Sequence, residues 1–428
     1  MHPTLDEIAA SLAGYDPKAL SADAVNAFLH ALVQPIANTE AETVPLFSAL
    51  GRVLAEDVVS PISVPPHDNS AMDGYALRGA DLRPGESTVF NNRGTAFAGA
   101  GWKGTLASGD CVKIMTGAIM PPGLDTVVPI EFVTVAGDQV SVPPHVVQTG
   151  DNRRLLGEDL LQGQAALRQG TRLNPAALGL LASLGMPGAR VYRPLKVAYF
   201  STGDEILSLG EAAREGAVYD SNRYTVFGLL SRLGIEVLDL GVVPDQPAAL
   251  EQAFKTAAAG CDAIITSGGV SMGEADHTKA IMKQLGDVAF WRIAMRPGRP
   301  MAVGRIAQAG RQAVLFGLPG NPVAVMVTFL AFVRPALLRM MGALPEPPIW
   351  LKAHSLETLR KKPGRTEYQR GTVSRDDQGQ LWVKTTGNQG SGVLRSMVEA
   401  NGLIVLHHGQ GNVEAGDAVD VMMFDGVI

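Results

Sequence analysis

The sequence predicts a multidomain α/β and β protein: a doubly wound parallel-sheet domain, a helical linker domain, a β-rich insertion and a C-terminal β-barrel. Three observations predict this. The chain has 428 residues, more than one hydrophobic core accommodates. Between residues 192 and 341, apolar runs of strand length alternate with helical stretches, the pattern of right-handed β–α–β crossovers. Elsewhere, short apolar runs are separated by Gly, Pro, Asn and Asp, as in antiparallel β-structure.

Residues 1–21 read as an N-terminal tail. An amphipathic helix is expected over residues 22–37, where Val25, Phe28, Leu29 and Leu32 recur at helical spacing. Residues 61–149 form the β-rich insertion, and residues 158–185 return to helix, with Asn174 and Pro175 as N-cap and first helical residue. Residues 22–60 and 150–191 would then be two pieces of one helical linker domain. In the α/β region, "LKVAYFS", "IEVLDLG", "DAIITSGG" and "AVLFGLP" are strands. "SNRYTVFGLLSRLG", "PAALEQAFKTAAAG", "DHTKAIMKQLG" and "PVAVMVTFLAFVRPALLRMM" are helices. Residues 345–428 suit a small barrel.

Hydrophobic residues make up 46% of the chain and charged residues 18%, which fits a soluble globular protein. A net charge of −6 gives no electrostatic reason to expect a nucleic-acid partner. With two cysteines, Cys111 and Cys261, and no Cys/His cluster, neither a disulfide framework nor a structural zinc site is expected. The N-terminus lacks a signal pattern, so a cytoplasmic location is expected. The apolar stretch from Ala313 to Val333 is broken at Pro319–Pro322 into pieces too short to span a bilayer. No membrane partner is expected.

In an open parallel sheet, ligands bind outside the carboxyl ends of the strands. The residues there are "STGDE", "VVPD", "TSGGVSMGEAD" and "GLPGNP". The first three end in acids: Glu205, Asp245 and Asp276. One acid at a strand end is usually a cap or turn residue, and Asp220 in "YDSNR" suits that role. Three on one edge point to a functional set. Clustered carboxylates repel unless a cation lies among them, and Mg²⁺ is the natural choice where phosphate is also bound. Ser267, Gly268, Gly269 and Ser271 offer backbone N–H groups to a phosphate, although the loop matches neither a Walker A motif nor G-x-G-x-x-G. Asn321 and Pro322 can open a helix with free backbone donors. Arg292, Arg296 and Arg299 fall within an ordered loop in "WRIAMRPGRP" and suit a phosphate or another tetrahedral oxyanion. In the insertion, "DNSAMDGYA" carries Asp73, and "VKIMTGAIMP" carries Thr116.

These segments, with "NRRLLGEDL", "MRPGRPMAVG" and "GRTEYQRG", together resemble the molybdopterin molybdenumtransferase family, called MoeA in bacteria and the E-domain of gephyrin in animals. The resemblance covers nearly the whole chain from about residue 22. It implies a homodimer, a sheet domain of the molybdopterin-binding type, and an active cleft beside it that involves the β-rich insertion of the other subunit. It implies Mg²⁺-dependent insertion of molybdenum, from molybdate, into adenylylated molybdopterin with release of AMP. By the resemblance, Asp73, Thr116, Arg154, Asp159, Glu205, Asp245 and Asp276 are catalytic, and Asp245 and Asp276 would hold the Mg²⁺. Arg292, Arg296, Arg299, Pro319 and Pro322 bind substrate, and Arg365 and Ser396 align with a molybdate pocket. Two alternatives remain: a molybdopterin adenylyltransferase, and a scaffold of the gephyrin E-domain type. Contacts with a molybdopterin adenylyltransferase and with molybdoenzyme chaperones are further expectations of the resemblance.

Overall fold

A six-stranded sheet organises the chain around the expected α/β region. The computed structural model describes residues 3–270, 277–346 and 348–424. The strands lie in the spatial order Glu236–Val243, Lys196–Thr202, Ala263–Ser267, Arg311–Leu318, Pro300–Gln308 and Gly286–Arg292. The first four are parallel. The last two are antiparallel additions, so the sheet is mixed at one edge. Residues 292–299 were expected only as a loop, yet they connect these two added strands. The antiparallel pair escapes a β–α–β reading because no helix separates Pro300–Gln308 from Arg311–Leu318. Instead Ala309 (φ 51°) and Gly310 (φ 76°) make the turn, with the positive φ at both positions that tight hairpins favour.

Side chains alternate between the sheet faces, as the pleat requires. Val197, Tyr199, Ile265 and Phe316 face the helices Ser221–Arg232 and Ala22–Leu32 and the long helix beginning at Pro322. Ala198, Phe200, Ile264 and Leu315 face Pro247–Gly260 and His277–Leu285. The long helix runs through Pro322–Met340 over 19 residues, and by length and composition it is able to cross a membrane. The expectation that the pieces were too short therefore fails. Burial decides its reading, since 78% of its most apolar window lies inside the protein, making it a core helix. A π-turn at Phe329–Val333 ends two residues before Pro335, which has no N–H to continue a regular ladder.

The N-terminal residues do not hang free as a tail. Leu5–Ser11 is a helix with a capping box between Thr4 and Glu7. Leu5 and Ile8 join the core of the sheet. The Trp291 indole N–H donates to Tyr15 at 2.9 Å, Pro17 accepts from the Arg292 N–H at 2.8 Å, and Phe28 packs edge-on against Trp291. The helix Ala22–Leu32 buries the predicted Val25, Phe28, Leu29 and Leu32. It ends at Val33 because Pro35 lies ahead.

A second six-stranded sheet spans residues 74–142. The segments flanking it are stitched together by short antiparallel pairs: Ala41–Pro45 with Gly188–Tyr192, Val58–Val59 with Ala165–Leu167, and Asn69–Ser70 with Arg153–Arg154. Within residues 158–185 only Pro175–Ser183 is α-helix, capped by Asn174 as expected. The preceding residues are strand and turns, with Gly163 and Gly170 at positive φ, a conformation that stops a helix. At the C-terminus, five strands close into a barrel as Thr366–Arg375 pairs with both Leu381–Thr385 and Gly402–Leu406. The short strand Met295–Arg296 pairs with Thr366–Glu367, which ties the barrel to the α/β region.

Phe28→Ala removes a fully buried ring wedged between Tyr15 and Trp291. It is expected to destabilise the protein by about 3–5 kcal/mol, read as a lower midpoint in urea unfolding.

Candidate active cleft

The carboxyl ends of the parallel strands open into a cleft of about 920 Å³. Among the sequence-predicted residues, Glu205, Asp245, Gly268, Gly269, Arg296, Arg299 and Pro319 line it. One wall is thus acidic, one is made of glycine backbone, and one is cationic.

The glycines are demanded by close approach. Gly268 has φ +91°, and a Cβ there would lie 2.4 Å from the Thr202 carbonyl oxygen. Gly269 has φ +64°, and its Cβ would come within 2.7 Å of the Thr278 side chain. Both positions need the left-handed conformation and the space that only glycine provides. The Gly268 N–H donates to the Leu318 carbonyl at 3.2 Å, binding the third strand's loop to the fourth. Ser267 does not reach the cleft. Its hydroxyl is buried and joins Tyr199 (2.7 Å) and Ser201 (3.1 Å) beneath the floor, where burial and nearby Asp220 push the Tyr199 phenol up.

On the acidic wall, the Glu205 carboxylate folds over Gly203, where an added Cβ would come within 2.7 Å of it. Asp245 accepts from the Thr278 hydroxyl at 3.4 Å. Among the described residues neither acid forms an ion pair. Asp276, Glu274 and Ser271 lie outside the described residues, and within these no group of three or more His, Cys, Asp or Glu gathers as a metal site. Two unpaired carboxylates in one cleft nevertheless suit Mg²⁺, which takes one or two protein carboxylates and completes its shell with water and phosphate oxygens.

On the cationic wall, Arg296 is carried by the strand that pairs with the barrel. Arg299 follows the turn at Gly298 (φ +94°). Arg292 ends the edge strand, exposed, and does not line the cleft. The barrel's own contribution was missed from sequence: Gln389, Gly390 and Ser391 line the cleft. Behind them the fully buried Arg370 donates to the Ser396 hydroxyl (2.9 Å) and the Gly390 carbonyl (2.8 Å). Burial, then the charge of Arg296, pushes Arg370 down to about 10, so it is still a cation at neutral pH. A small hollow joins Arg370 to Arg296 and Gln389.

Neither Arg365 nor Ser396, the residues aligned with a molybdate pocket, lines the cleft. The Arg365 guanidinium lies on the buried carboxylate of Glu367, at 2.7 Å. Ser396 is buried, accepting from Arg370 and donating to the Val393 carbonyl at 2.6 Å. The residues of that stretch that line the cleft are Gln389, Gly390 and Ser391, with Arg370 buried behind them. The signal available in the sequence was the glycine-rich run "TGNQGSG". Pro322 is the first residue of the long helix, as expected, but the cleft wall is made by its neighbours Gly320 and Asn321. Asn321 sits at the N-cap position without a side-chain capping bond, and one of the donors expected to be free, the Val323 N–H, is taken by the Ser391 carbonyl at 3.1 Å.

Asp73, Thr116, Arg154 and Asp159 do not line the cleft of their own chain. All four are exposed. Asp73 accepts from the Thr116 backbone N–H (2.7 Å) and hydroxyl (2.8 Å). These bonds hold its carboxyl below the usual carboxylate range. The two cysteines are buried and unpaired. Burial pushes Cys111 up to about 12 and Cys261 up to about 11, which leaves neither poised as a thiolate nucleophile.

A strand-end cleft that gathers acids, glycine backbone and arginines, with residues of the barrel region in its lining, suits an enzyme handling an anionic ligand. Comparison with known proteins makes this specific. Residues 20–185 match the MoeA N-terminal region (domain I and II), residues 198–339 a probable molybdopterin binding domain, and residues 352–424 the MoeA C-terminal region (domain IV). The molybdopterin molybdenumtransferase of Haemophilus influenzae is 42% identical over 388 residues, covering 90% of this chain and 95% of that protein. The one from Nostoc is 35% identical over 414 residues, covering 95% and 94%. Gephyrin of Dictyostelium discoideum is 31% identical, covering 90% of this chain and 60% of its own. The crystal structure of the molybdopterin biosynthesis moeA protein from Pyrococcus horikoshii superposes with a TM-score of 0.80 at 27% identity, covering 95% of this chain and all of that one. The chain is therefore a transferase of molybdenum cofactor biosynthesis. It belongs to the molybdopterin molybdenumtransferase family.

Gly268→Ala is expected to lower ligand binding in the cleft and shift the unfolding midpoint down, because its Cβ meets backbone rather than a side chain able to move. Thr116→Val removes the hydroxyl bond to Asp73 and leaves the backbone one. The Asp73 pKa, followed by NMR titration, is expected to rise part of the way toward the ordinary carboxylate value.

Proposed function

We propose that the cleft binds adenylylated molybdopterin together with molybdate, that molybdenum passes to the dithiolene, and that AMP is released in a Mg²⁺-dependent reaction. The observation that carries this reading is the convergence, on one cleft, of the acids Glu205 and Asp245, neither of them ion-paired, with Arg296 and Arg299. A phosphate-bridged substrate has to be neutralised on one side and activated on the other, and these walls supply both. Arg296 and Arg299 would hold phosphate oxygens through guanidinium forks. The buried Arg370, behind the hollow shared with Arg296, would attract the oxyanion of molybdate. Asp245, with Asp276, would hold Mg²⁺, which supplies Lewis-acid polarisation of the phosphoanhydride when bound. Glu205 would orient the ligand at the cleft mouth. With no cysteine poised for attack, covalent catalysis by a thiol is not part of this mechanism.

The reading extends to a homodimer. Asp73 and Thr116 flank strands of the β-rich sheet, and Arg154 and Asp159 lie in the segment that follows it; none lines the cleft of its own chain, and we assign them to the cleft of a second copy. A Mg²⁺ cofactor, a cytoplasmic location, and handover from a molybdopterin adenylyltransferase and to molybdoenzyme chaperones complete the proposal. Adenylylation of molybdopterin is the alternative reaction.

The test supplies pure adenylylated molybdopterin and molybdate and follows AMP by chromatography. AMP release without ATP is expected, with a loss of about 100-fold or more for Asp245→Asn, on the scale of removing one preorganised electrostatic group. Undiminished turnover in that variant contradicts the metal role, and strict dependence on ATP contradicts the reaction.

A further inference from the structure

The motif "YDSNR" reaches the cleft without lining it. Asp220 caps the helix Ser221–Arg232, its carboxylate accepting from the Arg223 N–H at 3.1 Å. This is the capping role its position suggested. Asn222, two residues on, does something else. It is 7% exposed, and its Nδ2 donates to the carbonyl oxygen of Gly320 at 2.7 Å, a residue 98 positions away. Gly320 and Asn321 form part of the cleft wall, and Asn222 does not.

That bond fixes the orientation of one peptide plane. The Gly320–Asn321 peptide is trans, as the chain's cis bonds lie elsewhere, and in a trans peptide the N–H points opposite to the C=O. With the carbonyl held by Asn222, which does not line the cleft, the Asn321 N–H points the opposite way from that residue. Among the described residues it has no acceptor. Gly320 has no side chain to resist rotation, and an added Cβ there would meet nothing closer than the Gly268 Cα at 4.0 Å. Without the anchor, the peptide is free to turn its carbonyl into the cleft, where it would repel an anion.

We propose that Asn222 is a positioning residue for anion binding: by holding the Gly320 carbonyl out of the cleft it aims the Asn321 N–H at a phosphate oxygen of the substrate. The inference rests on the phosphate-binding reading of the cleft. It adds a residue that touches no ligand and acts through preorganisation of a backbone donor.

Calorimetric titration with inorganic pyrophosphate and Mg²⁺ tests it on the full-length protein, Asn222→Ala and Asn222→Asp. Asp has the shape of Asn but, when ionised, no donor for Gly320. Both variants are expected to bind about tenfold or more weakly at neutral pH, the scale of one hydrogen bond to a charged group. As the pH falls and the new carboxyl is protonated, its O–H regains the bond to Gly320. Asn222→Asp alone is then expected to recover relative to the unsubstituted protein at the same pH. Unchanged affinity in both variants overturns the proposal. So does an equal loss in both with no recovery at low pH, which marks a packing role only. Should Asn222→Ala fail to fold, the isosteric Asn222→Asp carries the test through its pH profile. If the unsubstituted protein itself binds no pyrophosphate, the phosphate reading of the cleft falls and takes this inference with it. The two failures are thereby distinct.

Discussion

The close approach of backbone to backbone at the strand ends is the constraint on which the rest of the structure depends. Gly268 lies against the Thr202 carbonyl, Gly269 lies under Thr278, and the Gly268 N–H binds the Leu318 carbonyl. These contacts draw three loops, each following a different parallel strand, into one continuous surface. Acids that are far apart in the chain, Glu205 and Asp245, then share a cleft. A side chain at Gly268 would push the third loop away from the first and divide that surface. The chemistry therefore rests on a steric condition before it rests on any charge.

Charge placement follows from how the barrel is attached. The strand Met295–Arg296 belongs to the connection between two α/β strands, yet it pairs with the barrel strand Thr366–Arg375. Arg296 is thus held between the two regions. The barrel strand also carries Arg370, whose donors are partly satisfied by Ser396 and Gly390, while no acid among the described residues pairs with it. A buried guanidinium left without a carboxylate is costly unless an anion completes it. In this fold, that cost is borne by a site that also has Gln389 and Ser391 at its rim.

Much of this was legible in the sequence because local signals and tertiary demands agree. Asn174 and Pro175 open a helix as their chemistry dictates, and the four parallel strands and their helices appear where apolar runs alternate. The acids after the first two strands are in the cleft because strand ends of a parallel sheet share an edge. Other features carry no local signature. The antiparallel pair beyond Arg311–Leu318 depends on a two-residue turn inside a stretch that also fits a longer connection. Arg365 and Arg370 lie five residues apart on one barrel segment, and only packing decides that Arg365 meets Glu367 while Arg370 lies behind the cleft wall. The N-terminal residues look like a polar tail until Tyr15 and Pro17 find Trp291 and Arg292. Asn222 reads as one residue of a helix start, and its reach to Gly320 exists only in three dimensions.

We propose one site for a nucleotide-bearing pterin, made by acids, glycine amides and arginines on separate loops. A crystal structure with adenylylated molybdopterin and Mg²⁺ tests it most directly. The phosphate bridge is expected between Arg296 and Arg299 on one side and a metal held by Asp245 on the other. A ligand seated away from the strand ends, or a metal on the phosphates with no contact to Asp245, would contradict it.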